Sequence, residues 1–258
     1  MNIFEKAKYR MIELDDSSRR NTIINKLHPV IKILTTIGFL VCVLSVNKYD
    51  LSRLIYFIVW PILLIIAGDI KIKPFLKLMF YLSPFLIAFV IANVIIDRIP
   101  VLYIGNFYIT TGMISALTLL IKNVYSILAC YILISTTGIY NICYGLNKLH
   151  FPEIITNQIL LTFRYIFVLI NEADEMYTSY QLRAPKQKGI KHTVWGPFLG
   201  SLFLRSSSRA DELYDSMVLR GYNNKIYEFK KVKIKVIDLL FLLLCIGVFT
   251  TFLFWKGF

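Results

Sequence analysis

Apolar residues fill five stretches of this chain, at residues 30–46, 51–67, 76–96, 112–136 and 236–255. A helix needs about 20 mainly apolar residues to cross a bilayer, within a range of about 17–25. Each stretch therefore predicts a transmembrane helix. The first two lie near the short limit and are joined by Asn47-Lys48-Tyr49-Asp50, which predicts a short turn. Pro61 and Pro84 fall in or near the second and third stretches. Such prolines kink a helix and are tolerated in membranes where neighbours satisfy the carbonyls they free. The interval from Asp97 to Thr111, with Pro100 and Gly105, predicts a turn-rich loop.

Residues 139–235 break this pattern, because cations and acids alternate with apolar positions and the run from Ile166 to Ile170 is far too short to span. Two long amphipathic helices are predicted here. The first starts near Phe151-Pro152-Glu153, where proline suits a first turn and an acid suits the helix dipole. Its apolar face carries Ile154, Leu161, Tyr165, Val168, Met176 and Tyr180, and Pro185 ends it. The second runs from about Phe198 to Leu219, with Leu199, Leu202, Phe203, Ala210, Leu213 and Met217 on one face and Arg205, Ser208, Asp211, Glu212 and Asp215 on the other. Gly221 stops it. The division that follows is a cytoplasmic N-terminal segment at 1–28, four spans within 29–138, a cytoplasmic two-helix region at 139–235 and a last span at 236–258. The fold class is all-α, a polytopic membrane protein.

Composition agrees: 57% of the 258 residues are apolar, too many for an ordinary soluble domain. Net charge is +13, and its distribution sets an orientation. Lys26 and Lys32 flank the first span; Lys71, Lys73 and Lys77 lie between spans two and three; Lys225, Lys230, Lys231, Lys233 and Lys235 precede the last. All three clusters share one side if the N-terminus is cytoplasmic, which puts the C-terminus outside. These cations border apolar spans and form no soluble basic face, which argues against a nucleic-acid partner. Cys42, Cys130, Cys143 and Cys245 have neither metal-ligand nor disulfide spacing. The mixed-charge start of the chain is unlike a signal peptide.

Catalytic chemistry finds little footing. The phosphate-cradling Gly-x-x-x-x-Gly-Lys-[Ser/Thr] loop is missing from the sequence. His28, His150 and His192 are far apart and have no partner at metal spacing. Glu172, Asp174 and Glu175 fit a solvated helix face better than an acid–base pair. The expectation is no catalytic residue, no metal ligand and no cofactor bound by this chain. Lys122 and Asn123 stand near the middle of the fourth span, where ionisable groups face a bundle interior or a cavity. They suit a polar lock between helices, or contact with a substrate path.

The two amphipathic helices end alike, in Ser179-Tyr180-Gln181-Leu182-Arg183-Ala184 and Ser216-Met217-Val218-Leu219-Arg220-Gly221. A cation near a helix C-terminus is ordinary, and so is a Pro or Gly just beyond it. Two such ends in one polar region also suit docking, because a planar guanidinium makes bidentate contacts with carboxylates and backbone carbonyls. Spacing alone leaves both readings open.

Three further motifs carry a resemblance. His28-Pro29-Val30-Ile31-Lys32 opens the first span, Phe163-Arg164-Tyr165-Ile166-Phe167-Val168 leads to Glu172-Ala173-Asp174-Glu175, and Ser206-Ser207-Ser208-Arg209-Ala210 precedes Ser216-Met217-Val218-Leu219-Arg220-Gly221-Tyr222. Over nearly its whole length the chain resembles the transmembrane T component of energy-coupling factor (ECF) transporters. The stretch Gly200–Ser206 is similar to the CbiQ type, which serves cobalt or nickel uptake. The resemblance implies a non-catalytic prokaryotic cell-membrane scaffold. It implies two cytoplasmic P-loop ATPase subunits as partners, which bind ATP-Mg, and a membrane-embedded S component that binds substrate. The family's two Ala-Arg-Gly motifs, whose arginines engage the ATPases, fall on Leu182-Arg183-Ala184 and Leu219-Arg220-Gly221. Leu replaces Ala in both, and Ala184 replaces the first Gly. Alternatives are a T component for a vitamin, or a self-sufficient permease that binds its own substrate.

Overall fold

The computed structural model describes residues 22, 24–47, 50–96, 100–104, 107–185, 187, 189–222 and 234–254. The N-terminal segment as far as Asn21, and Lys225, Lys230, Lys231 and Lys233 of the last basic cluster, lie outside them. The chain forms two compact units, one built on residues 17–138 and 232–258 and the other on 139–231.

The first unit contains α1 (Pro29–Ser45), α2 (Leu51–Tyr56), α3 (Val59–Gly68), α4 (Ile72–Ile96), the strands β1 (Pro100–Ile104) and β2 (Phe107–Thr110), α5 (Thr111–Thr137) and α9 (Val236–Phe254). The second contains α6 (Ile139–Lys148), α7 (Glu153–Arg183) and α8 (His192–Leu219). The protein is an all-α polytopic membrane protein. By length and composition α4, α5 and α7 are each long and apolar enough to cross a membrane, and α1, the α2–α3 pair and α9 are shorter apolar segments.

α5 is the central post of the first unit, with α1, α2, α3 and α4 packed on it, while α9 packs on α1. α1 shows that the environment is lipid. Its exposed residues Leu34, Ile37, Val41 and Leu44 form one aliphatic stripe, while Lys32, Thr35, Thr36, Phe39, Cys42 and Val43 are buried. A soluble helix does the reverse; in a membrane, polar groups turn inward to find partners. Phe39 is fully buried at the centre of an aromatic cluster. Its ring stacks on Trp60 at 4.4 Å between centroids and meets Phe57 at 6.0 Å and Phe249 at 5.8 Å.

Four features differ from the sequence expectation. The second span is broken into α2 and α3. Pro61 has no N–H to give Phe57, and the chain turns there with Phe57 N–H donating to Leu54 O and Ile58 N–H to Ile55 O, both three residues back. The interval after α4 contains an antiparallel hairpin that pairs Ile104 with Phe107, with a register irregularity between Pro100 and Leu102. α6 is a further short helix in the polar region. α8 starts at His192, ahead of Pro197, which near a helix start deprives only one carbonyl of its partner.

Contacts within the first unit gather the starts of α1, α4 and α9 with the end of α5. His28 N–H donates to Asp238 Oδ1, Lys32 Nζ to Thr136 O, and Tyr131 Oη–H to Lys71 O. Lys26, Lys71 and Lys235 thus fall at one end of the unit, as their placement in the sequence predicts. The hairpin joins the opposite ends of α4 and α5.

Candidate functional site

Both arginine triplets stand at exposed helix ends. α7 runs unbroken for 31 residues and finishes on Arg183, with Leu182 79% exposed. α8 finishes on Leu219, 88% exposed, with Arg220 as its cap residue. The arginines and the leucines before them project into solvent, and only Ala184 is half-buried.

The two ends are built differently, which explains why one has glycine and the other does not. At α8, Gly221 takes φ +82°, its N–H donates to Val218 O, and Tyr222 N–H reaches back to Met217 O, each at 2.9 Å. This paired closure needs a left-handed residue. At α7, Ala184 caps with φ −134°, its N–H shared between Tyr180 O and Gln181 O, before Pro185 stops the helix. No left-handed residue is required, so Ala184 stands where the family pattern has glycine. Gly221→Ala is expected to cost about 1–2 kcal/mol of left-handed strain and to speed amide exchange at Tyr222 roughly tenfold. Ala184→Gly changes stability by no more than about 1 kcal/mol, through the unfolded chain. Equal exchange in the two variants would contradict this asymmetry.

Between α7 and α8, Arg205 Nη1 meets Glu172 Oε1 at 2.7 Å, with the arginine side chain 59% exposed. Solvent holds such a pair to about 1 kcal/mol or less, but its direction is useful because it links the two helices that carry the arginine ends. Glu172 is thus an interhelix partner, not a free surface acid.

Lys122 is 7% exposed and donates to Leu44 O at 3.2 Å and to Val46 O. These carbonyls lie at the C-terminal end of α1, where helix oxygens run out of partners within the helix. Asn123, the next residue, is half-buried. The contacts of Lys122 are those of a lock between helices. Its counterpart is Lys32, 6% exposed, which donates to Thr136 O at 3.0 Å at the C-terminal end of α5. α1 and α5 are thus antiparallel neighbours, each capped by a lysine of the other. The spacing fits: Lys32 to Leu44 is about 18 Å of rise and Lys122 to Thr136 about 21 Å at 1.5 Å per residue.

Lys32 is therefore no longer a flanking surface charge, as its sequence position suggested. Asp238, buried to 2% exposure, is a residue that the sequence reading did not single out. The signal available was a lone acid in the first turn of an apolar helix, which the helix dipole alone accounts for. Among the described residues, no three His, Cys, Asp or Glu side chains gather as a metal site.

The sequence profile of the cobalt transport protein family CbiQ matches residues 20–234, most of the chain. The chain belongs to the CbiQ cobalt transport family. It is 26% identical over 247 residues to an uncharacterised protein of Methanocaldococcus jannaschii, covering 89% of this chain and 81% of that protein. It is also 26% identical over 121 residues to the nickel permease LarQ of Lactiplantibacillus plantarum, covering 47% of this chain and 44% of that permease. Within CbiQ, the matched region takes in α1 to α8 and both arginine ends.

Proposed function

We propose that this chain is the T component of an ECF-type importer for cobalt or nickel. The observation that carries this reading is the exposure of Arg183 and Arg220, each beside an outward leucine, at the ends of two long helices bridged by Glu172 and Arg205. Two solvent-facing guanidinium groups on rigid helices suit two grooves on a pair of cytoplasmic ATPases. ATP-Mg is bound and hydrolysed by those subunits, and this chain does no chemistry. Nucleotide-driven closure moves the helix ends, and the membrane helices pass the motion to an S component that carries the metal. The cytoplasmic side is the end bearing Lys26, Lys71 and Lys235, by the positive-inside rule. We read the second half of α7, with Asn171, Glu172, Asp174 and Glu175, and α8 as the cytoplasmic part. The names of the CbiQ family and of LarQ favour a transition-metal cation over a vitamin.

The test is gentle purification of the tagged chain from its native membrane, with identification of what accompanies it. P-loop ATPases and a small hydrophobic subunit are the expected companions. A metal-type subunit supports cobalt or nickel, and a vitamin-type one replaces that assignment. Recovery of the chain alone, under conditions that preserve other ABC complexes, would overturn the proposal in favour of a permease that binds its own substrate.

A further inference from the structure

Each point at which the chain passes between its two units is held by a buried charged side chain, Lys32 at one and Asp238 at the other. The chain leaves the membrane unit at Gly138, just after α5, and comes back ahead of α9. Lys32 Nζ holds the departure through Thr136 O at 3.0 Å, and also takes Asn25 O at 3.3 Å. Asp238 holds the return: its Oδ2 accepts from Lys235 N–H at 2.8 Å, while Oδ1 accepts from His28 N–H at 2.9 Å. His28 in turn caps α1, its Nδ1 accepting from Val30 N–H at 3.3 Å. Asn25 and His28 lie in the one turn that leads into α1, so the two side chains share a foothold there. The cavity beside Lys32, lined also by Thr35, Thr36 and Thr136, measures ≈ 20 Å³. That admits about one water.

A buried charge is costly to desolvate, and apolar packing of the same volume is often no less stabilising. Apolar side chains would glue α1, α5 and α9 together equally well. They would not grip the backbone at the two crossings, which only hydrogen-bonding groups do. We propose that Lys32, in the first turn of α1, and Asp238, in the first turn of α9, together form the anchor through which movement of the 139–231 unit reaches the membrane helices. A pull on either connection then moves α1, α5 and α9 as one body and does not unravel a helix end. The anchor role rests on the coupling function proposed above.

Two readouts test it. In lipid nanodiscs, amide exchange of the full chain is compared for wild type, Lys32→Gln, Asp238→Asn and the double variant. Each single change is expected to speed exchange at least about tenfold at both crossings, the last turn of α5 and the first turn of α9, although each side chain grips only one. Acceleration confined to the crossing that the altered residue touches would overturn the anchor. The double variant removes both buried charges, so its melting temperature rises toward wild type while exchange at both crossings stays fast; a return to slow exchange would also overturn it. In vesicles holding the chain with its ATPases and its S component, all three variants are expected to hydrolyse ATP at roughly the wild-type rate and to move about tenfold less radioactive cobalt or nickel per ATP. Unchanged metal per ATP would refute mechanical anchoring. Failure of the wild-type vesicles to take up either metal would instead sink the function, and the exchange result would still judge the anchor.

Discussion

Replacing Arg183 or Arg220 with glutamate is expected to abolish metal uptake while the chain still inserts and folds. Both side chains are exposed at helix ends, so their loss opens no cavity and leaves no buried group unpaired. Each stands to lose charge-assisted hydrogen bonds worth about 1.5–3 kcal/mol. Reversal adds repulsion from the carboxylates or carbonyls that the arginine met. A combined loss of roughly 3–5 kcal/mol weakens docking about 150- to 5,000-fold. Lysine should fall between, since it restores the charge without the planar fork. Leu182→Ala and Leu219→Ala should weaken docking less, because each removes apolar contact and leaves the cation in place. The measurements are radioactive cobalt or nickel uptake, together with ATPase recovery on the tagged chain. Full uptake by both glutamate variants would leave the two ends as ordinary helix punctuation. Loss of uptake with full ATPase recovery would put the arginines downstream of docking.

The apolar helices of the first unit and the arginine ends were legible in the sequence for a plain reason: the properties that define them are local. An apolar run of sufficient length predicts α1, α4, α5 and α9 wherever their partners lie. Gly221 and Pro185 stop their helices by their own backbone chemistry. Some local signals were available and passed over. Gly105-Asn106, set between Val101-Leu102-Tyr103-Ile104 and Phe107-Tyr108-Ile109, is a recognised two-residue hairpin signal. The break before Pro61 was open to the same reasoning, since proline denies a hydrogen bond to the residue four before it. Lys32 and Asp238 differ in kind. They are 206 residues apart, they lie close only because α9 packs on α1, and most of what they hold is backbone. Backbone carbonyls occur at every position and leave no trace in residue identity. A charge that binds them therefore looks, in sequence, like any flanking charge. Lys122 was recognisable as costly at its depth, but its partners were invisible for the same reason.

Lys122 is where depth in the membrane makes a single substitution severe. Lys122→Met keeps the length of the side chain and removes the donor. The carbonyls of Leu44 and Val46 then lose the ammonium at the end of α1, where the helix supplies no replacement. An unpaired polar group costs about 1–3 kcal/mol in a protein interior, so two point to about 2–5 kcal/mol. The expected result is a sharply lower melting temperature in detergent and faster amide exchange at the end of α1. Protein that remains folded should carry metal at near the wild-type rate per molecule, because the contacts of Lys122 are to the chain itself. Lys122→Arg keeps charge and donors and should recover most of the stability. A substrate-path lysine behaves in the opposite way: Lys122→Met would leave the melting temperature near wild type and strip transport from a well-folded chain. Measuring melting temperature and uptake per folded molecule on the same preparations separates a helix lock from a transport residue, and the contacts to Leu44 and Val46 lead us to expect the first.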